Sequence, residues 1–231
     1  MNEKILVVVA HPDDEILGIG GTLIKQAKQG DEIFCLILGE GAMARTGISK
    51  TAVKKLRQEA IKAGRTIGFK KTYFSDFPDN SFDKVALLKI IKTIERFLEI
   101  IKPDIIYTHH DYDLNIDHCL TFQAVWTACR PCNKNCPKEI YTFETLSCSE
   151  WQTTDKKFKP NVYVDISNVI DKKIEALKKY SSEIRKYPHP RSPEGVKILA
   201  QYRGLECGLK FAEAFCLVRK LGKLIREQLN A

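Results

Sequence analysis

Ile5-Leu6-Val7-Val8-Val9-Ala10 runs directly into His11-Pro12-Asp13-Asp14-Glu15. Six apolar residues in a row, mostly β-branched, leave no polar edge to the pattern, which is how a strand reads when a parallel sheet covers it on both faces. The charged cluster that ends the run therefore falls at the carboxyl end of a buried strand. In open α/β sheets that is where ligands bind.

Working outward, Glu15 to Gln29 carries apolar residues at helical spacing and stops at Gly30, and Asp31 to Leu38 reads as a second buried strand. The alternation continues through a helix from Ser49 to Ile67, a short strand at Thr72 to Phe74, a helix from Ser81 to Lys102 and a strand at Ile105 to Thr108. Then follow a helix over His118 to Cys129, strands at Ile140 to Thr145 and Val162 to Ile166, a helix over Asn168 to Tyr180 capped by Asn168 or Ser167, a proline-rich loop at Tyr187 to Pro193, and a last helix from Glu194. Strand and helix alternating with short connections predict a Rossmann-like, doubly wound, mostly parallel sheet with helices on both faces. The 231 residues contain no linker or repeat, so one domain is expected over 1–231, with the part from about 160 to 231 a small extension packed on the α/β core.

Composition sets the outer bounds. Hydrophobic residues make up 44% and charged residues 29%, an ordinary globular balance that excludes collagen-like, disordered and coiled-coil classes. No apolar stretch is long enough to span a membrane and the N-terminus lacks a secretory segment, so a cytoplasmic protein is expected. Its 8 cysteines are then expected to be free thiols. The net charge of +8 is spread along solvated helix faces, so no nucleic acid is expected. A homo-oligomer is compatible with this composition.

A second polar cluster, His109-His110-Asp111-Tyr112-Asp113-Leu114-Asn115-Ile116-Asp117-His118, follows the strand Ile105 to Thr108. Two imidazoles and one carboxylate are the donors of a catalytic zinc that keeps a place for water, and His11, Asp14 and His118 can supply them. Asp13, next to Asp14 but pointing elsewhere, is then the candidate general base for a water that zinc acidifies towards roughly pH 7. The plainer alternative is that Asp13 or Asp14 caps the helix that follows. Asp117 has two readings of equal weight, orienting a ligand or capping the helix from His118. His109 and His110 are not favoured as direct ligands.

These residues resemble a known family. Ala10-His11-Pro12-Asp13-Asp14-Glu15 with Gly20-Gly21-Thr22, and later Asp113-Leu114-Asn115-Ile116-Asp117-His118, are similar to the paired motifs of the PIG-L (LmbE-like) zinc-dependent N-deacetylases. Arg57-Gln58-Glu59, Phe77-Pro78-Asp79-Asn80, Arg130-Pro131 and Ala212-Glu213-Ala214-Phe215 extend the likeness over most of the chain. The resemblance implies one Zn2+ or similar divalent ion held by His11, Asp14 and His118, with Asp13 as base. It also implies hydrolysis of the N-acetyl group of an N-acetylglucosamine-type conjugate, with Arg57, Asp79 and Asn80 shaping the sugar pocket. Many members carry a histidine where this chain has Asn115. Asn115 can still donate a hydrogen bond to an oxyanion, while protonation of the leaving amine falls to Asp13 or Asp113. The rival reading is a non-catalytic binding protein for an anionic glycoconjugate or metabolite.

Two features invite other readings. Cys129, Cys132 and Cys136, with Cys148 as fourth donor, suggest a structural metal site, but a cysteine-rich loop is the blander account. Gly18-Ile19-Gly20-Gly21 only superficially matches a dinucleotide fingerprint, because the acidic turn before it would repel a pyrophosphate. Arg45, Lys156, Lys157 and Arg191, in loops over Gly39–Ile48, Gln152–Pro160 and Tyr187–Pro193, suggest a phosphate or carboxylate on the substrate. His189, in the last of these loops, would border the entrance.

Overall fold

The computed structural model describes residues 2–41, 50–153 and 155–222. The Ile5–Ala10 run forms β1 (Lys4–Val9), which pairs in parallel with β2 (Glu32–Gly39) on one side and β4 (Ile105–His109) on the other. β3 (Lys71–Phe77) lies outside β2, and β5 (Glu139–Phe143) outside β4, both also parallel. The full order of the seven-stranded sheet is β3-β2-β1-β4-β5-β7-β6. The chain winds outward from β1 to β3 and then returns to the opposite flank of β1 as β4, so the winding reverses between β1 and β4. That reversal opens a crevice at the two carboxyl ends, and both polar clusters of the sequence emerge there.

The strand has no polar face because it feeds two cores. Ile5, Val7 and Val9 join the cluster closed by α1 (Asp14–Gln29), α2 (Lys50–Ile67), α5 (Ile170–Leu177) and α6 (Pro193–Cys207), while Leu6, Val8 and Ala10 face α3 (Leu87–Ile101) and α4 (Ile116–Ala128). All six side chains are fully buried, and each of the larger ones contributes about 1.5–3 kcal/mol.

Gly18 and Gly21 lie one turn apart on α1, where a Cβ would stand 2.2 Å from the Phe143 ring and 2.7 Å from Ile166 respectively. These glycines let the helix lie close on the sheet, which accounts for the glycine run in packing terms. Gly30 ends α1 at φ 96°, its N–H donating to Ala27 O, a left-handed C-terminus that glycine adopts without steric cost.

The structure departs from the expected elements in the last third of the chain. α6 is not the last element; it ends at Cys207, capped by Gly208, and is followed by β7 (Ala212–Lys220), a strand the pattern did not announce. β7 inserts antiparallel between β5 and β6 (Val162–Asp165), so residues from 160 onward complete the sheet as well as packing on it. The helix expected from Ser81 begins at Leu87 after a single 3-10 turn at Phe82–Lys84. The helix expected from His118 begins at Ile116, and α5 starts after Val169, without the side-chain cap expected from Asn168 or Ser167. α6 opens one residue before the expected Glu194, with Ser192 Oγ accepting the N–H of Gly195 and Pro193 in the first turn. Among the described residues no helix is long and apolar enough to cross a membrane.

Candidate active site

His11, Asp14 and His118 converge in the crevice. The turn after β1 is closed by Asp14 Oδ2, which accepts the His11 N–H at 2.8 Å. The same oxygen lies 3.6 Å from His11 Nδ1 and 3.4 Å from His118 Nε2, and the two rings are 5.4 Å apart. His118 comes from the first turn of α4, which Asn115 starts by accepting the Asp117 N–H on its side-chain oxygen at 2.8 Å. The capping reading of Asp117 is thereby corrected: the cap is Asn115, two residues earlier.

Each imidazole is held from behind by a carboxylate. Asp117 Oδ2 lies 3.0 Å from His11 Nε2 while its other oxygen accepts the Phe82 N–H at 3.0 Å. Asp113 Oδ2 lies 3.1 Å from His118 Nδ1 and accepts the Ser149 hydroxyl at 3.0 Å. Such pairs fix which ring nitrogen faces the centre and make it a better donor. They also correct the reading of Asp113 as a proton donor to the leaving amine, since it stands behind the His118 ring and does not line the cleft. His109 stacks on His118 with centroids 3.8 Å apart, and its Nε2 accepts the Ala10 N–H at 2.9 Å. That bond spends the nitrogen nearest Asp14, so His109 supports the site from beneath.

The electrostatics suit a cation. Burial alone would push the imidazole of His11 down, but the carboxylates of Asp117 and Asp14 lift it to about 10. His118, likewise buried, is lifted to about 9 by Asp14 and Asp113. Asp14 would be raised by burial, yet His118 and His109 hold it well below its ordinary value. His109, buried beside His118, falls to about 4. His11, Asp14 and His118 offer three donor atoms within 4.8 Å of one another. Two imidazoles and a carboxylate form a donor set that fits zinc; the proton affinity of both rings is the electrostatic counterpart of that fit.

Asp13 stands apart from this cluster. It occupies the turn into α1 at φ 102°, a left-handed conformation unusual for a side-chain-bearing residue, and its side chain makes no capping bond. Its N–H donates to Glu15 Oε2 at 3.1 Å, and Glu15 is itself held by the Tyr180 hydroxyl. Asp13 Oδ2 accepts from Arg191 Nη1 at 3.0 Å, and Arg191 Nε donates to Ser147 Oγ at 2.8 Å. Burial raises the Asp13 carboxyl to about 7 even though Arg191 opposes the shift. Burial raises Glu15 to about 8.

The cleft around these groups encloses about 490 Å3 and is also lined by Asp79, Asn80, Asn115, Leu114, Trp151 and Arg191. Asn115 Nδ2 donates to Asn80 Oδ1 at 3.1 Å, and Asn80 Nδ2 to Asp79 Oδ1 at 3.1 Å, linking the loops after β3 and β4. Arg57 is not brought to the cleft. Its guanidinium bonds Ser75 O at 2.9 Å and Asp76, and lies over the Phe74 ring, pinning α2 to β3. Arg191 is a partner of Asp13 rather than an unengaged anion receptor, Lys156 lies 4.0 Å over the Tyr112 ring, Lys157 is exposed on the surface, and Arg45 lies outside the described residues. His189 Nδ1 accepts the Arg191 N–H at 3.1 Å and so shapes its own loop.

None of the eight cysteines is in a disulfide, and among the described residues the groups able to hold an ion are built from His11, Asp14, Asp79, His109, Asp113, Asp117 and His118, with no cysteine among them. Around Cys129 and Cys136, Arg219 donates to Cys129 O at 2.7 Å and to Cys136 Sγ at 3.0 Å, while Cys148 lies on the cleft wall. The cysteine cluster is a packed loop. Sequence reasoning missed Ser147, Ser149, Trp151, Tyr180 and Glu183. The one available signal was position, since 147–151 follows the carboxyl end of β5.

Residues 6–129 match the PIG-L family, described as GlcNAc-PI de-N-acetylase. A diacetylchitobiose deacetylase of Thermococcus kodakarensis is 27% identical over 230 residues, covering 94% of this chain and 83% of the relative. A 4-oxalmesaconate hydratase of Pseudomonas putida is 28% identical over 196 residues, 76% of this chain and 72% of the relative. The solved N,N'-diacetylchitobiose deacetylase from Pyrococcus horikoshii shares the fold with a TM-score of 0.76 at 22% identity, over 94% of this chain and 84% of that one. Because the family match spans more than half of the sequence and takes in both strand ends that build the crevice, the chain belongs to the PIG-L family.

Proposed function

We propose that the protein is a divalent-metal-dependent N-deacetylase that removes the acetyl group of an N-acetylglucosamine-type conjugate, with His11, Asp14 and His118 holding the ion and Asp13 acting as the base. The observation that carries this reading is the division of labour within one turn. Asp14 faces both imidazoles, whereas its neighbour Asp13 is turned by its positive φ towards Arg191 and the cleft. A site that only gripped an anion would gain nothing from that second carboxylate; the names of the relatives are those of enzymes.

A bound zinc ion would supply a Lewis acid that lowers the pKa of a water and polarises the acyl carbonyl. Asp13 takes the proton as that water adds to the acyl carbon, and a carboxyl raised to about 7 is matched to accepting and then releasing it near neutrality. Arg191 orients the carboxylate through a hydrogen bond that leaves it facing the cleft. After collapse of the adduct, protonated Asp13 returns the proton to the departing amine, the role denied to Asp113 by its place behind His118. Asn115 keeps one amide hydrogen beyond its bond to Asn80, enough to meet a developing oxyanion. Asp79 and Asn80, on the opposite lip, are placed to meet sugar hydroxyls. Zinc is our assignment on the donor set, and cytoplasmic residence accords with eight cysteines of which none is in a disulfide.

The test is direct. Purified protein is expected to contain about one equivalent of a divalent metal by elemental analysis, to release acetate from N-acetylglucosamine derivatives, and to lose and regain that activity on chelation and metal return. Water addition to an unsaturated acid without acetate release, as the name of the Pseudomonas putida relative suggests, would replace the deacetylase reading.

A further inference from the structure

Two glutamates of the motifs, Glu15 and Glu59, take no part in the chemistry at the cleft. Both are buried and neither lines it. Each instead holds the segment that follows α5. Glu15 Oε1 accepts the hydroxyl of Tyr180, a side chain wholly out of solvent, and Glu59 on α2 accepts the hydroxyls of Ser181 and Ser182. With its other oxygen, Oε2, Glu15 accepts the Asp13 N–H at 3.1 Å. The Asp13 carbonyl is fixed as well, since it accepts the N–H groups of Ile16 and Leu17 at 3.0 and 2.9 Å. Asp13 is thus pinned at both ends of its own backbone.

The pinning accounts for a conformation that an aspartate does not favour. A residue with a side chain at φ 102° carries a backbone cost of about 1–3 kcal/mol and stays there only where its surroundings over-determine it. The effect is directional, because the two consecutive carboxylates part, Asp14 to the imidazoles and Asp13 to Arg191 and the cleft. We propose that Tyr180 and Glu15 are positioning residues for the base: the phenol fixes the Glu15 carboxyl, which fixes the Asp13 N–H and with it the turn that aims Asp13 into the cleft. The proposal rests on the reading of Asp13 as the base. It requires a hydrogen-bond acceptor at position 15 and not a negative charge, so a glutamine there meets the same need.

The experiment uses the full-length, metal-loaded enzyme with N-acetylglucosamine and diacetylchitobiose as probes, and reads acetate release, metal content and hydrogen exchange of the Asp13 amide. Tyr180→Phe, which deletes a single oxygen, is expected to lower kcat about tenfold with KM and metal content within about twofold, and Glu15→Met to lower it about a hundredfold, the scale of a small misplacement of a reacting group. Glu15→Gln is expected to keep kcat within about threefold. Exchange of the Asp13 amide is expected to quicken about tenfold or more in Tyr180→Phe and Glu15→Met, and not in Glu15→Gln. In an Asp13→Asn background there is no base left to aim, so adding Tyr180→Phe is expected to change the residual rate by less than about twofold. A full further loss in that background, or wild-type kcat and amide protection in both Tyr180→Phe and Glu15→Met, overturns the positioning role. If Glu15→Met does not fold, Tyr180→Phe and the double substitution decide it. No acetate from the wild type on either probe overturns the deacetylase reading, while amide exchange still judges the pin, so the two failures are distinct.

Discussion

Two ion pairs lie near α1, one buried and one on the cleft wall, and serve opposite ends. Lys173 and Glu213 meet at 2.7 Å in the core, and Glu213 also accepts the N–H groups of Gly21 and Thr22 while Lys173 donates to Leu17 O. That network is closed, and it bonds α1 to α5 and β7. Asp13 and Arg191 meet at 3.0 Å, but on the cleft wall, with Asp13 in a left-handed backbone conformation and its carboxyl pushed up to about 7. Equal charge at nearly equal distance is architecture in one place and reactivity in the other; what differs is whether the pair is sealed by further partners or faces a cleft.

The contrast can be broken at either pair. Asp13→Asn is expected to cut acetate release by about 10²–10⁴-fold with metal content kept and the melting temperature held or raised, since it removes a buried charge from a strained turn. In the wild type, activity requires the Asp13 carboxylate, so kcat/KM should climb with pH and level off at or below about pH 7, because a bound cation can only favour the ionised form. Arg191→Met, which removes the opposing charge, is expected to move that shoulder upward. Glu213→Ala should do the reverse of Asp13→Asn. It strands Lys173 and two backbone N–H groups, costing about 3–5 kcal/mol in denaturant unfolding, with the activity per folded molecule preserved. Asp113→Ala sits between the two, because it loosens His118 without touching substrate. A loss of about 10–100-fold in metal affinity, measured against a competing chelator, is expected there.

The parts of the site that could be read from sequence are those in which strand and ligand are contiguous. A doubly buried run followed by His11 and Asp14, and a second ending in His109 with His118 one turn into the next helix, carry both their fold and their chemistry within about a dozen residues. Arg191 and Ser149 were not legible in the same way, because the bonds that hold them at the site join residues from 36 to 178 positions apart. β7 escaped for a related reason. Ala212-Glu213-Ala214-Phe215 is buried at every position, so it shows no alternation, and its one charge is hidden in the Lys173 pair. Arg57 misled in the opposite sense: its place in a motif suggested substrate, whereas geometry gives it to Asp76 and the Ser75 carbonyl.

The interior position of β7 also bears on how the chain is made. A ribosome delivers β5 long before Ala212 emerges, and until then the growing polypeptide presents the flank of β5 that β7 will cover, with β6 lacking its own neighbour. Unpaired flanks of that kind are templates for self-association. A nascent chain halted before Ala212 should therefore recruit chaperones or precipitate, and one carried past Lys220 should not, a difference that light scattering of translation-arrested products would register.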